Sequence, residues 1–177
     1  MRSILRGLFF AFALVGLVSQ PSHAVSAAIL TDAQIEAIQS NCSEIQKNLS
    51  SLHMNDAVLR VNLGQRYQNI ARRLMAPLNS RIALNGLDGV ALSQTTVRYN
   101  KSIDEFSQSY ATYEQSVQKA LDVDCRTEPI EFYSSVSVAR VNRKDVAKVV
   151  DTLSKLGVQY RTQLVAFAKT VPAEVGE

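Results

Sequence analysis

The stretch YNKSIDEFSQSYATYEQSVQKAL, residues 99–121, decides the fold class. Its large apolar side chains are Tyr99, Ile103, Phe106, Tyr110, Tyr113, Val117 and Leu121. They recur at steps of three and four, the spacing that places side chains on one face of an α-helix. A strand would alternate every second residue, and no such alternation runs here. Between the apolar positions lie Asn, Lys, Asp, Glu, Gln and Ser, which suit a solvated opposite face.

The same spacing extends outward from this segment on both sides. Upstream, from Asp32 to the Pro77 region, a seam reads Ile35, Ile38, Cys42, Ile45, Leu49, Leu52, Asp56, Leu59, Leu63, Arg66, Ile70. Downstream, over about 129–168, it reads Phe132, Val136, Ala139, Arg143, Val146, Val150, Leu153, Gly157, Tyr160, Leu164, Phe167. The three segments predict an all-α fold, an elongated, coiled-coil-like up-down-up three-helix bundle over residues 31–169. A helix of about 40 residues would be about 60 Å long.

The ends of the segments have chemical reasons. Thr31-Asp32-Ala33-Gln34 reads as a capping box, with Leu30 placed as a hydrophobic staple. Asn85-Gly86-Leu87-Asp88-Gly89 is a turn signal, because Gly and Asn tolerate positive φ. Pro129 suits the first turn of the third helix. Pro77 falls within a helical pattern, where it removes a backbone donor and crowds the preceding turn. A kink or break is expected near Met75–Leu78, with a short continuation through Arg81–Leu84.

The N-terminus carries the three parts of a secretory signal in order. Arg2 and Arg6 form a positive start, Leu8 to Val18 is apolar and uncharged, and Ser22-His23-Ala24 offers small residues for cleavage. Cleavage after Ala24 is expected, with Ala27 or Ala28 as alternatives. Retention as a membrane anchor is the competing reading, although a spanning helix needs about 20 apolar residues and this run is shorter. Residues 25–30 and 170–177 read as loose ends. Cleavage removes two arginines and no acid, lowering the Lys+Arg count from 19 to 17 against 16 Asp+Glu. A nearly neutral mature chain gives no global argument for nucleic-acid binding.

Two cysteines, Cys42 and Cys125, remain after cleavage. In an oxidising compartment they predict one bridge. In an antiparallel hairpin, facing positions are centred on the turn. The midpoint of positions 42 and 125 is 83.5, beside the Asn85–Gly89 signal. Turn chemistry and cysteine placement thus agree on one register.

Chemistry is sparse. Ser50, His53 and Asp56 follow at i, i+3 and i+6, a spread unsuited to a nucleophile, base and orienting acid. With one histidine left and two bridged cysteines there is no standard zinc set. The glycines of Asn85–Gly89 lack both a P-loop lysine and dinucleotide spacing. Asn41-Cys42-Ser43, Asn48-Leu49-Ser50 and Asn100-Lys101-Ser102 match the glycosylation triplet, but chance accounts for them in an Asn/Ser-rich chain. The expectation is a non-enzymatic chain with no catalytic residue, metal or cofactor and no small-molecule substrate. An enzyme working through Asp104, Glu105 and Glu114 is the weaker alternative.

The informative feature is charge. No acid stands between Asp56 and Asp88, while Arg60, Arg66, Arg72, Arg73 and Arg81 all do. These five arginines are the candidate surface for an anionic partner, whether a protein face, an envelope polymer or lipid head groups. Internal pairing is the plainer account, and the 83.5 register would bring Asp104 and Glu105 near Arg60 and Arg66. Asp56 and Arg66 occupy seam positions, where an unpaired charge is costly. They mark a bundle boundary, a buried pair or an interface.

Two resemblances follow from particular residues. The stretch LMAPLNSRIALN, residues 74–85, with Cys42 and Cys125, resembles small secreted two-cysteine helical proteins of candidate-phylum bacteria. That likeness covers most of the mature chain and implies export without supplying an activity. Leu30-Thr31-Asp32-Ala33-Gln34 is similar to the Leu-Thr-x-x-Gln motif of the periplasmic Spy/CpxP chaperones. It implies a holdase with the 60–81 region as client surface, although the second copy of the motif in that family is missing here. The leading expectation is an exported interaction or structural module of the cell envelope or extracellular space.

Overall fold

The computed structural model describes residues 30–171. The signal-peptide reading of residues 1–24, with its alternative of a retained anchor, lies outside them, as does most of the expected C-terminal tail. The described residues form α1 (Asp32–Ser40), α2 (Cys42–Asn69), a π-helical turn (Ile70–Met75), α3 (Ala76–Leu84), α4 (Val90–Asp122) and α5 (Pro129–Ala168), with no strand among them. The fold is all-α. Among the described residues no helix is long and apolar enough to cross a membrane.

The punctuation explains the boundaries. Thr31 caps α1: its hydroxyl accepts from the Gln34 backbone N–H, and the Gln34 side-chain oxygen accepts from the Thr31 N–H at 2.9 Å. Gly86 adopts φ +67°, the left-handed conformation that glycine tolerates. Gly89 is required for a different reason. A Cβ there would lie 2.6 Å from Ile82 Cγ2. Pro129 opens α5.

The structure bears on the sequence reading at two places in the first helical run. The first helix is interrupted at Asn41, whose φ of −100° and ψ of 12° leave the helical region. The Asn41 side-chain amide donates to the Ala37 carbonyl at 2.8 Å, and the Ser40 hydroxyl reaches the same oxygen. Short polar side chains that bond the backbone in this way compete with the helical ladder. Around Pro77, the chain does not break. Asn69, Ile70, Met75 and Ala76 all keep helical φ and ψ. The ladder widens instead, and the Ala76 N–H donates five residues back to Ala71. One wide turn before the proline re-phases the hydrogen bonds, a common role of π-turns inside helices.

Cys42 and Cys125 form the expected disulfide, with a Cα–Cα distance of 5.5 Å. Around it Val123 and Phe132 are buried, and Ile38, Ile45 and Leu49 lean on the cluster. Toward the other end the register drifts from the simple hairpin expectation: Asp56 meets Tyr113, Tyr67 meets Phe106 and Asn79 meets Thr96.

The core is unevenly shared. The α4 stripe is buried as expected, with Tyr99, Phe106, Tyr110, Tyr113 and Val117 each at most 3% exposed. The interface between α4 and α5 is the most extensive among the described elements. By contrast, α2 buries only Cys42 and Tyr67. Leu52 and Leu59, expected in the first seam, are 38% and 53% exposed. Because α4 and α5 cover one another along most of their length, α2 rests chiefly on α4 and is joined to α5 by the Arg143–Asp56 ion pair at 2.8 Å.

Candidate functional site

A groove lies between α5 and the run of α2, the π-helical turn and α3, floored by α4 along its first two hollows. Three adjoining hollows make it up. The first, about 560 Å³, lies between Leu59, Arg60 and Leu63 of α2 and Arg140, Lys144 and Val150 of α5, over Phe106, Tyr110 and Tyr113. The middle one, about 420 Å³, shares Leu63 and Val150 with the first and continues past Arg66, Tyr67 and Leu153. The third, about 580 Å³, shares Ile70, Gly157 and Arg161 with the middle one and ends among Leu74, Leu78, Arg81 and Leu164. Along α5 the groove runs from Arg140 to Leu164, about 36 Å at 1.5 Å per residue.

Its floor is apolar and its rims are cationic. Arg60, Arg66, Arg73 and Arg81 line it from the first helical run. Arg140, Arg143, Lys144 and Arg161 line it from α5, and sequence reasoning missed these four. In the sequence Arg143 stands at a seam position, and the basic residues of α5 are diluted along the chain by Asp145 and Asp151. Those two acids are engaged on their own helix, by Lys148 at 2.7 Å and Lys155 at 2.6 Å. Arg72 departs from its four companions. It lies in a separate polar recess with Gln65, Gln68 and Asn69.

Internal pairing takes a different form from the one expected. Arg60 meets Glu114 at 3.8 Å and lies over the Tyr110 ring at 4.8 Å. Glu105 pairs with Lys101 on its own helix. Among the described residues, Arg66, Arg73, Arg81, Arg140, Lys144 and Arg161 have no carboxylate within 4.0 Å. The register drift explains the change: the positions opposite Arg60 belong to the Tyr110–Glu114 turn.

Among the described residues the one acid lining the groove is Asp56, and it is a paired seam charge. It accepts from Arg143 Nε at 2.8 Å, from Arg143 Nη2 at 3.0 Å and from the Tyr113 hydroxyl at 2.7 Å. Burial alone would raise its pKa, but the hydrogen bonds from Arg143 and Tyr113, with the charge of Arg143, hold it below the ordinary carboxylate value. No hydrogen bond joins Ser50, His53 and Asp56 among the described residues. Burial raises the Tyr110 hydroxyl pKa, with Glu114 and Asp56 adding to the effect. That hydroxyl is buried without a hydrogen-bond partner, as is His53 Nδ1.

At the far end a polar relay ties the walls together. The Tyr160 hydroxyl donates to Asn79 Oδ1 at 2.9 Å, and the Asn79 amide donates to the Thr96 hydroxyl at 2.8 Å. This chain ties α3 to α4 and α5.

Compared with protein-family models, curated proteins and solved structures, the chain matches none of them.

Proposed function

We propose that this protein is an exported, non-enzymatic interaction module of the cell envelope or extracellular space, and that the groove between α2 and α5 is its working surface. In this reading the helices compose an elongated up-down-up three-helix bundle, its first helix bent at the π-helical turn. One observation carries the reading: an apolar floor about 36 Å long is bordered by Arg66, Arg73 and Arg81 on one side and by Arg140, Lys144 and Arg161 on the other, none of which has a carboxylate within 4.0 Å among the described residues. Contiguous apolar surface rimmed by charge marks interaction sites more often than it marks idle surface. The disulfide is compatible with an oxidising compartment.

A holdase is the second reading. It is favoured by Val58, Leu59, Val61 and Leu74, which are 53–63% exposed beside the arginines. Suppression of client aggregation at near-stoichiometric ratio would single it out.

The test is positional. A photo-crosslinking residue is placed at Leu74, in the groove, and at Asp104, on the exposed face of α4, in the chain expressed in its own host. Adducts expected at Leu74 and absent at Asp104 support the groove. Equal adduct yields at the two positions overturn it. Intact mass of the exported chain, expected to lack residues 1–24, checks the compartment.

A further inference from the structure

We infer that the occupant of the groove is an acidic amphipathic helix of a partner protein, about 24 residues long, laid along α5. The inference rests on the groove being the working surface and adds what fills it.

The shape comes first. Two helical walls and an apolar floor running the length of several turns are what a bundle presents where one helix is missing. Gly157 sits where the middle and last hollows join, and a Cβ there would meet nothing within 4 Å. Glycine inside a helix is unfavourable, so an interior glycine facing open space suits close approach by another backbone.

Charge distribution decides between occupants. Arg60, Arg66, Arg73 and Arg81 follow one another at six, seven and eight residues, about two helical turns each. A partner helix with carboxylates about seven residues apart would meet them in step. Arg140, Lys144 and Arg161 flank the other edge. A single acyl chain carries one anionic head and would call for cations at one end only. A polyanion without apolar groups would leave the floor uncovered.

The probe is a designed 24-residue peptide with Leu at the heptad a and d positions and Glu at e and g. Binding to the oxidised mature chain is followed by fluorescence anisotropy, and peptide helicity by circular dichroism. The expected result is saturable 1:1 binding with a gain of helicity. Arg73→Glu with Arg161→Glu, both at exposed positions, should weaken it about tenfold or more, and exchanging peptide Glu for Arg should restore it. Gly157→Leu should block binding while leaving the melting temperature unchanged or higher. Binding of vesicles containing phosphatidylglycerol in preference to the peptide overturns the inference. So does equal competition by poly-glutamate, self-association of the chain through the groove, or peptide binding indifferent to Gly157→Leu. Failure of the peptide alongside groove-specific crosslinks at Leu74 would refute the helical occupant and leave the groove standing.

Discussion

Replacing Asp56 by Ala should destabilise the protein mainly through Tyr113. Three donors converge on this carboxylate, whose side chain is 12% exposed. Arg143 is 52% exposed. Its ion pair therefore works largely in water and should contribute about 0.5–1 kcal/mol. Tyr113 is 3% exposed, and its hydroxyl bonds a charged acceptor. Such a bond is worth about 1.5–3 kcal/mol, and losing it strands a buried donor. Asp56→Ala should then cost about 2–3 kcal/mol, Tyr113→Phe about 1.5–2 kcal/mol and Arg143→Gln less than about 1 kcal/mol. For a chain of 177 residues, the Asp56→Ala loss corresponds to a fall in Tm of about 5–10 °C. Urea and thermal unfolding followed at 222 nm measure it.

The pH dependence has a definite sign. The folded pKa of Asp56 lies below the ordinary 3.8, so its stabilisation is complete above that value. It drains away as pH falls from 3.8 through the lower folded value. Wild type and Asp56→Ala should therefore differ at neutral pH and converge in strong acid. An Arg143→Gln cost equal to that of Asp56→Ala would refute the reasoning, as would a wild-type-to-mutant gap that stays constant into strong acid.

Three other expectations concern the scaffold. Opening the disulfide, which spans 83 positions, should cost up to about 4–5 kcal/mol by loop-closure entropy and lower the Tm of the reduced chain accordingly. Gly89→Ala places a Cβ 2.6 Å from the Ile82 side chain and should cost about 1–2 kcal/mol by denaturant titration, whereas the same change at an exposed helical position would not. Burial raises the pKa of Tyr67, Tyr99, Tyr110, Tyr113 and Tyr160, Tyr99 to about 12. Stability should be complete below the unfolded tyrosine value of 10.0 and fall as pH rises above it. Absorbance at 295 nm should show these rings ionising together with unfolding.

What the sequence determined by itself is the local part of this protein. The helical class follows from apolar spacing, the start of α1 from Thr31 and Gln34, and the reversal from Asn85–Gly89, because each depends on residues a few positions apart. The disulfide was legible as well, since two cysteines allow one pairing and the turn supplied its register. The interruption at Asn41 was local but hidden, because Asn in a helical pattern takes an exposed or a backbone-bonding role with equal ease.

Tertiary structure decided the rest. The sequence marked Asp56 and Arg143 as charges on two seams; only packing brought them together across 87 positions. It marked Leu52 and Leu59 as core, and the close fit of α4 on α5 left them exposed. The groove is a property of the distance between α2 and α5, and no helix carries in its own periodicity how far it stands from a neighbour. That distance turned four of the five flagged arginines, together with the basic residues of α5, into the two edges of one surface.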